Sequence, residues 1–190
     1  MLVEFDGLSL ESLPGVVMIP RATSVALVDR VAEHVGSSAA VVADVGTGSG
    51  AMAIAIAMRA PRATVWATDV DPHAVGLARG NAARAGVADR VHVRLGDLLD
   101  PLPRSLDVIA ANLPYLPWHE SPLHPDLSGE PPAAVFADGD GLAAYRRLLD
   151  EAAKRLTPGG LLVVQLRGHM LSASAEEISA LELAFAERAA

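Results

Sequence analysis

Three aspartates stand where short apolar runs of the sequence end, a position from which side chains can reach a ligand in a parallel sheet. Asp44 lies near the end of VVADVG, Asp69 ends ATVWATD, and Asp97 directly follows RVHVRLG. Because the carboxyl ends of parallel strands meet at one edge of a sheet, these carboxylates should collect beside a common crevice. They can accept hydrogen bonds there from hydroxyl and amino groups, so the sequence predicts a site for a nucleoside-bearing ligand.

The turn after the first of these runs is rich in glycine. It carries Gly46, Gly48 and Gly50, with Thr47 between the first two. Glycines let a ligand approach the backbone closely, and the start of the following helix offers N–H groups to an anion. The spacing also fits the G-x-G-x-x-A pattern of dinucleotide-binding proteins, with Asp69 about 20 residues further on. A nicotinamide cofactor is therefore one reading of this turn.

Two features favour S-adenosylmethionine as the cofactor instead. Asp44 precedes the first glycine by two residues, which sets a carboxylate beside a site that must hold a cationic sulfonium and an amino group. Asp97 follows the third apolar run, where it is placed to accept a hydrogen bond from an adenine amino group. We expect Val70 and Leu98, the residues after Asp69 and Asp97, to belong to the same site.

The elements that must position these groups can be predicted from alternating patterns. The expected strands are the Val- and Ile-rich runs 41–46, 63–69, 90–97, 106–112 and 160–166. Helical patterns separate most of them, and one begins with Asp71 as N-cap and Pro72 in its first turn and ends at Gly86. Alternation of strands and helices predicts an α/β fold, a doubly wound and mostly parallel sheet.

We expect one domain over residues 1–190, divided into three parts. These are an N-terminal hairpin and helix flap (1–36), a core (37–170) and a C-terminal helix (171–190). The expected apolar face of that last helix is formed by Ile178, Leu181 and Phe185. A sheet that stopped at the fifth strand would leave an edge uncovered, which predicts a homodimer or a partner chain there.

Composition excludes several classes of function. The net charge of −8 argues against a dominant phosphate-binding face, so nucleic acid is a less favoured partner than protein. The absence of cysteine removes disulfides, thiolate metal sites and cysteine nucleophiles. No stretch has the roughly 18 uninterrupted apolar residues of a membrane span, and the N-terminus lacks the basic start of a signal peptide. We therefore expect a cytoplasmic protein that binds no membrane.

A proline-rich loop follows the fourth predicted strand. Residues 112–132 hold six of the 13 prolines, and a loop of this length at the carboxyl end of a strand is usually functional. It contains His119 and His124 with Glu120 and Asp126. We expect these side chains to face solvent or substrate and predict no metal site.

Several blocks of the sequence carry a resemblance to a known family. DVGTGSG, DVIAANLPY, EPPAAVFADGDGLAAYRRLL (130–149) and LTPGGLLVVQL occur in that order. In order and spacing they resemble class I methyltransferases of the HemK/PrmC type, which methylate the side-chain nitrogen of a glutamine in peptide-chain release factors. The resemblance extends from Val3 to Leu166. It implies a Rossmann-like class I methyltransferase sheet, S-adenosylmethionine as cofactor and a release-factor-like protein substrate, with the catalytic domain only. The chain departs from the family at its C-terminal end, where we expect a helix in place of the family's last antiparallel strands.

The family's catalytic tetrapeptide, Asn-Pro-Pro-Tyr, corresponds here to Asn112, Leu113, Pro114 and Tyr115. The resemblance implies that the Asn112 side-chain oxygen and the Leu113 carbonyl accept the two N–H groups of the substrate amide. Tyr115 would pack against the flat amide. The expected cofactor-binding residues are Asp44, Gly46, Thr47, Gly48, Gly50, Asp69, Val70, Asp97, Leu98 and Asn112.

Leucine in place of proline at position 113 keeps alternatives open. Asn-Leu-Pro-Tyr also resembles the motif of ribosomal RNA adenine dimethyltransferases, whose acceptor is likewise a planar nitrogen. A small-molecule N-methyltransferase and a cofactor-binding protein without catalysis are further alternatives. The block at 130–149 and the acidic charge favour a protein glutamine.

Overall fold

The structure is a computed structural model that describes residues 1–166 and 169–178. Its elements in chain order are β1 (Leu2–Phe5), β2 (Leu8–Glu11), α1 (Val25–Val35), β3 (Val41–Val45), α2 (Ala51–Arg59), β4 (Thr64–Asp69), α3 (Pro72–Arg84), β5 (Val91–Leu95), β6 (Leu106–Ala111), β7 (Leu116–Pro117), β8 (Phe136–Ala137), α4 (Ala143–Arg155), β9 (Leu156–Leu166) and β10 (His169–Ser174). Short 3-10 turns lie at Ala22–Ser24, Trp118–Leu123, Pro125–Leu127 and Pro132–Ala134.

A six-stranded sheet in the order β10-β9-β6-β3-β4-β5 forms the centre of the fold. The five strands from β9 to β5 run parallel, and they are the five strands that the sequence predicts. β3 lies in the middle and the chain moves outward from it in both directions. The predicted doubly wound α/β class is confirmed, and the carboxyl ends of β3, β4 and β6 meet at one edge.

Helices cover both faces of this sheet, which explains why its strands are nearly continuous apolar runs. In β6, Val108 and Ala110 join the core with α1, α2 and α3. Ile109 and Ala111 point the other way, into the core with α4. Tyr145 of α4 is fully buried in that second core.

The C-terminal end differs from the sequence prediction, which has a helix there and lacks an antiparallel strand. Residues 171–174 belong to β10, which pairs antiparallel with β9, with Met170 opposite Gln165. The expected helix over 171–190 is therefore wrong at its start, and residues 179–190 lie outside the described residues. Ala173 is buried and Leu171 packs against the same core, an alternation with the period of a strand. β10 also covers the edge of β9 that was expected to need a partner chain.

The predicted N-terminal flap is present as a hairpin followed by a helix. β1 and β2 pair antiparallel around a turn at Asp6 and Gly7, both of which have positive φ. Asn81 of α3 holds the hairpin: its Oδ1 accepts from Glu11 N (2.9 Å), while its Nδ2 donates to the carbonyls of Glu11 (3.0 Å) and Ser49 (2.8 Å). The chain after β2 is thereby placed at the carboxyl edge of the sheet.

Candidate active site

A cleft of about 320 Å³ lies at the carboxyl edge of the sheet. This first cavity is walled by residues 16–18 of the flap, 69–71 at the end of β4 and just beyond it, 96–98 after β5 and 112–114 after β6. Ala133 and Ala134 of the proline-rich loop close another side. Segments distant in sequence thus form one cleft where the carboxylates were predicted to meet.

Most of the predicted cofactor residues line this first cavity, and three do not. Those at its surface are Gly46, Gly48, Asp69, Val70, Asp97, Leu98 and Asn112. Asp44, Thr47 and Gly50 lie outside its lining. A Cβ on Gly50 would approach the Cβ of Ala78 to 3.0 Å, so this glycine allows α2 and α3 to pack closely.

Asp44 is fully buried and organises the glycine turn from behind. Its Oδ2 accepts from Thr47 Oγ1 (2.7 Å) and from Ala53 N in α2 (3.1 Å). Its Oδ1 has no hydrogen-bond partner among the described residues. Burial, and to a smaller extent the nearby charge of Asp69, raises the pKa of Asp44 to about 6 against the opposing effect of its two hydrogen bonds. The carboxylate therefore acts on the shape of the turn.

Asp69 joins the glycine turn to the turn between β4 and α3. Its Oδ2 accepts from Gly48 N (2.9 Å) and its Oδ1 from Asp71 N (3.0 Å). Burial is the main cause that raises the pKa of Asp69. Asp71 in turn caps α3 by accepting from His73 N at 2.8 Å, as predicted. Asp69 is thus fixed in direction at the surface of the first cavity.

Asp97 and Leu98 form the far wall of the first cavity. Asp97 is half-exposed and forms an ion pair with Arg147 of α4 at 2.6 Å. Leu98 has φ of 44°, a left-handed conformation that is unusual for a residue with a branched side chain. Its carbonyl accepts from the buried hydroxyl of Thr68 at 2.9 Å, which helps to hold that conformation. Strained backbone of this kind clusters at binding sites.

The tetrapeptide lies directly after β6, where the sequence places it. Leu113 N donates to the hydroxyl of Tyr145 (3.0 Å), and Asn112 Nδ2 donates to Ser24 Oγ of the flap (3.0 Å). The Leu113 side chain covers the glycine turn, because a Cβ on Gly46 would come within 2.7 Å of its Cδ2. Asn112 and Leu113 are therefore anchored on both sides, by the flap and by α4.

A second cavity, of about 310 Å³, lies on the other side of the tetrapeptide. Its walls include Tyr115, Leu127, Val135 and Gln165. Both cavities are lined by Met18, Asn112, Leu113, Pro114 and Ala134. The tetrapeptide thus forms the partition between two adjoining cavities, a placement that the sequence alone does not show.

Two contacts from the 130–149 block hold the proline-rich loop in place. Buried Glu130 accepts from Ile19 N (3.1 Å) and from Arg21 Nη2 (3.0 Å), which ties the loop to the flap. Gly141 has φ of 85°, and a Cβ there would come within 2.2 Å of the Tyr115 carbonyl oxygen. The family-like block therefore supports the tetrapeptide from both ends of the loop.

The other side chains of the loop show no metal site. Trp118 is 45% exposed and packs against Phe136, with ring centroids 5.4 Å apart. His124 Nε2 lies 3.8 Å from Glu120 Oε2. Within residues 1–166 and 169–178 there is no group of three or more metal-ligating side chains.

Sequence reasoning missed four polar or flexible residues of this region. They are Met18, Ser24, Thr68 and Gln165, of which the last three are buried. Gln165 carried a readable signal, since it is the single polar side chain in the run GLLVVQL. Ser24 carried none, because its partners come from distant parts of the chain.

Comparison with known proteins identifies the relatives of this chain. A family model described as "Ribosomal protein L11 methyltransferase (PrmA)" matches residues 22–114. The "Release factor glutamine methyltransferase" of Moorella thermoacetica is 43% identical over 166 residues, 86% of this chain and 58% of that protein. The one from Gloeobacter violaceus is 42% identical over 154 residues, 79% of this chain and 54% of that protein. The chain thus spans a little over half the length of these curated relatives.

Solved structures agree on the fold. A ribosomal protein L11 methylase from Lactobacillus delbrueckii subsp. bulgaricus superposes with a TM-score of 0.58 at 21% identity, covering 90% of this chain and 70% of that one. The hMettl16 catalytic domain, solved with an RNA hairpin, gives a TM-score of 0.67 at 17% identity, covering 83% and 60%. The fold is that of the class I methyltransferases. Within that class, the sequence relatives are release factor glutamine methyltransferases, which confirms the resemblance of this chain to the HemK/PrmC type.

None of the helices in the described part of the chain has the length and apolar content needed to cross a membrane.

Proposed function

We propose that this chain is an S-adenosylmethionine-dependent N-methyltransferase whose acceptor is the side-chain amide of a glutamine in a protein such as a peptide-chain release factor. The relatives' names support this acceptor. The observation that carries the proposal is the partition: Asn112, Leu113 and Pro114 line both cavities. A methyl donor in the first cavity and an acceptor amide in the second would meet at these residues. A release-factor substrate would place the activity in the cytoplasm.

The residues of the first cavity fit S-adenosylmethionine. Asp69 offers a fixed carboxylate for ribose hydroxyls, and half-exposed Asp97 is available to an adenine amino group. Gly48 leaves its part of the cavity floor free of a side chain, so a ligand can lie against the main chain there. The unpartnered Oδ1 of Asp44 adds negative potential behind that floor, which favours a cationic ligand.

Acceptor positioning is the main task of the tetrapeptide. S-adenosylmethionine, when bound, would supply a methyl group on a positively charged sulfur, and the acceptor nitrogen would take that methyl as the carbon–sulfur bond breaks. A carboxamide nitrogen is a weak nucleophile because its lone pair is delocalised into the carbonyl. The Asn112 Oδ1 and the Leu113 carbonyl would accept its two N–H groups, which aims the nitrogen through the partition. Catalysis then rests on orientation and oriented acceptors, and the departing proton passes to solvent.

The test is transfer of a labelled methyl group to defined acceptors. The protein is incubated with methyl-labelled S-adenosylmethionine and either a release factor bearing a Gly-Gly-Gln loop, the same factor with that glutamine changed to alanine, or ribosomal RNA. We expect label only in the factor that retains the glutamine, located by mass spectrometry of the loop peptide. Label in RNA alone would establish the adenine alternative. Cofactor binding in calorimetry with no transfer would indicate a binding protein without catalysis.

Two variants separate positioning from cofactor binding. Asn112→Ala should lower kcat by roughly two to three decades with the Kd for S-adenosylmethionine nearly unchanged, because it removes one oriented acceptor. Asp69→Ala should mainly weaken cofactor binding. Equal losses of affinity in both variants would contradict this division of roles.

A further inference from the structure

A relay of side-chain hydrogen bonds, which runs through Thr23, Gln165 and Ser24, ends on Asn112 of the tetrapeptide. Asn112 Nδ2 donates to Ser24 Oγ at 3.0 Å, and Ser24 Oγ donates to Gln165 Oε1 at 3.2 Å. Gln165 Nε2 donates to Thr23 Oγ1 at 3.1 Å. Ser24 is 4% exposed and Gln165 is 5% exposed, so water competes little for these bonds. Asn112 is thus joined directly to the flap and, through Ser24, to β9.

The direction in which the hydrogen bonds of the relay are donated decides which atom of the Asn112 amide faces the second cavity. A serine hydroxyl has one proton, and here it is given to Gln165 Oε1. Ser24 can then only accept from Asn112, so the amide nitrogen turns to Ser24 and Oδ1 turns away from it. If each hydrogen bond of the relay were donated in the opposite direction, Asn112 would present its N–H groups to the acceptor. Those groups would repel the N–H groups of a substrate amide.

The main chain on either side of the relay is held at a fixed spacing. The Tyr145 hydroxyl accepts from Leu113 N at 3.0 Å and lies 2.5 Å from the Gln165 carbonyl oxygen and 3.1 Å from that of Leu113. Its single proton goes to the shorter contact, so the Leu113 carbonyl keeps its capacity to accept. Tyr145 thus joins residues 113 and 165, the two strand ends between which the relay runs.

We propose that Ser24 and Gln165 are positioning residues that orient the Asn112 amide with its oxygen toward the acceptor. This inference rests on the proposed function for its catalytic consequence, while the orientation itself can be measured without any methyl transfer. Gln165 acts through Ser24. The relay explains why a polar side chain is kept in the apolar run of β9.

The kinetic test uses paired variants of the full chain. Ser24→Ala and Gln165→Met break the relay and should lower kcat by at least tenfold with the Kd for S-adenosylmethionine unchanged. Ser24→Thr keeps the hydroxyl, and Gln165→Glu at pH 8 keeps the acceptor for the Ser24 proton; both should stay within about threefold of wild type. Ser12→Ala is the control, because Ser12 is buried and its hydroxyl has no hydrogen-bond partner among the described residues. A Ser24→Ala protein with wild-type kcat, or a Ser24→Thr protein as slow as Ser24→Ala, would overturn the proposal.

The orientation is tested directly by NMR of the Asn112 side-chain amide, assigned by its loss in Asn112→Asp. We expect one amide proton to be protected from exchange with water in wild type and to lose that protection in Ser24→Ala. Rapid exchange of both protons in wild type would mean that the amide faces the cavity and would refute the inference. If the protection is present but no acceptor is methylated, the orientation stands and the proposed function fails.

Discussion

Gly141 offers the sharpest test of how the loop supports the tetrapeptide. Replacing it with alanine places a Cβ within 2.2 Å of the Tyr115 carbonyl oxygen and 3.3 Å of Pro117 N, both of them main-chain atoms that cannot rotate away. The φ of 85° adds about 1–2 kcal/mol for a side chain in left-handed conformation. Displacing the backbone adds about 1–3 kcal/mol. We therefore expect Gly141→Ala to lower the free energy of unfolding by about 2–5 kcal/mol.

Gly139→Ala is the matched control. Gly139 also has a positive φ, of 63°, but a Cβ there would meet no heavy atom within 4 Å. It should lose only the conformational part, about 1–2 kcal/mol. Thermal unfolding should then separate the two variants by roughly 2–12 °C, and kcat for methyl transfer should fall only in Gly141→Ala. If both variants unfolded at the same temperature and turned over equally, the contact with Tyr115 would have no supporting role.

Two further predictions concern Glu130 and Asp44. Glu130→Ala leaves the partly buried Ile19 N–H without its acceptor, so urea denaturation should show that the free energy of unfolding falls by about 1–3 kcal/mol. Most of this loss should come from the bond to Ile19, because Arg21 is 39% exposed. Glu33→Ala, at an exposed position, should stay within about 0.5 kcal/mol of wild type, and equal stability of the two variants would refute the role of Glu130 in joining the loop to the flap. Burial raises the pKa of Asp44 from 3.8 to about 6, so the native state binds the proton more tightly and the free energy of unfolding should fall as pH rises from about 4 to 6, by about 3 kcal/mol. Asp44→Asn should remove that fall, and a wild-type protein whose stability does not change over this range would contradict the burial argument.

Much of the fold follows from local pattern. The five parallel strands and the Asp71 and Pro72 start of α3 are encoded within a few neighbouring residues, so the sequence predicts them. The C-terminal strand was missed because Ile178 and the residues after it suggest a helical period, whereas Leu171 and Ala173 alternate with the period of a strand. Too few residues lie between the two patterns for periodicity to separate them.

The sequence predicts many of the residues that line the first cavity, but it does not predict the hydrogen bonds that hold them in place. Asp69, Asp97 and Asn112 reach the first cavity because strand ends place them there. Asp44 sits behind the glycine turn, since its carboxylate is taken up by Thr47 and the start of α2. The bond between Ser24 and Gln165 joins residues 141 positions apart, and such a contact depends on how the flap packs against β9. Only the three-dimensional arrangement reveals it.

The contact between Gly46 and Leu113 has an evolutionary consequence. The Leu113 side chain occupies the space that a Cβ at position 46 would need. A larger residue at 46 therefore needs a smaller residue at 113, and it must also carry the strain of a φ of 73°. The two sites should covary among homologues, and a library that randomises them together should yield larger residues at 46 only where 113 has become smaller.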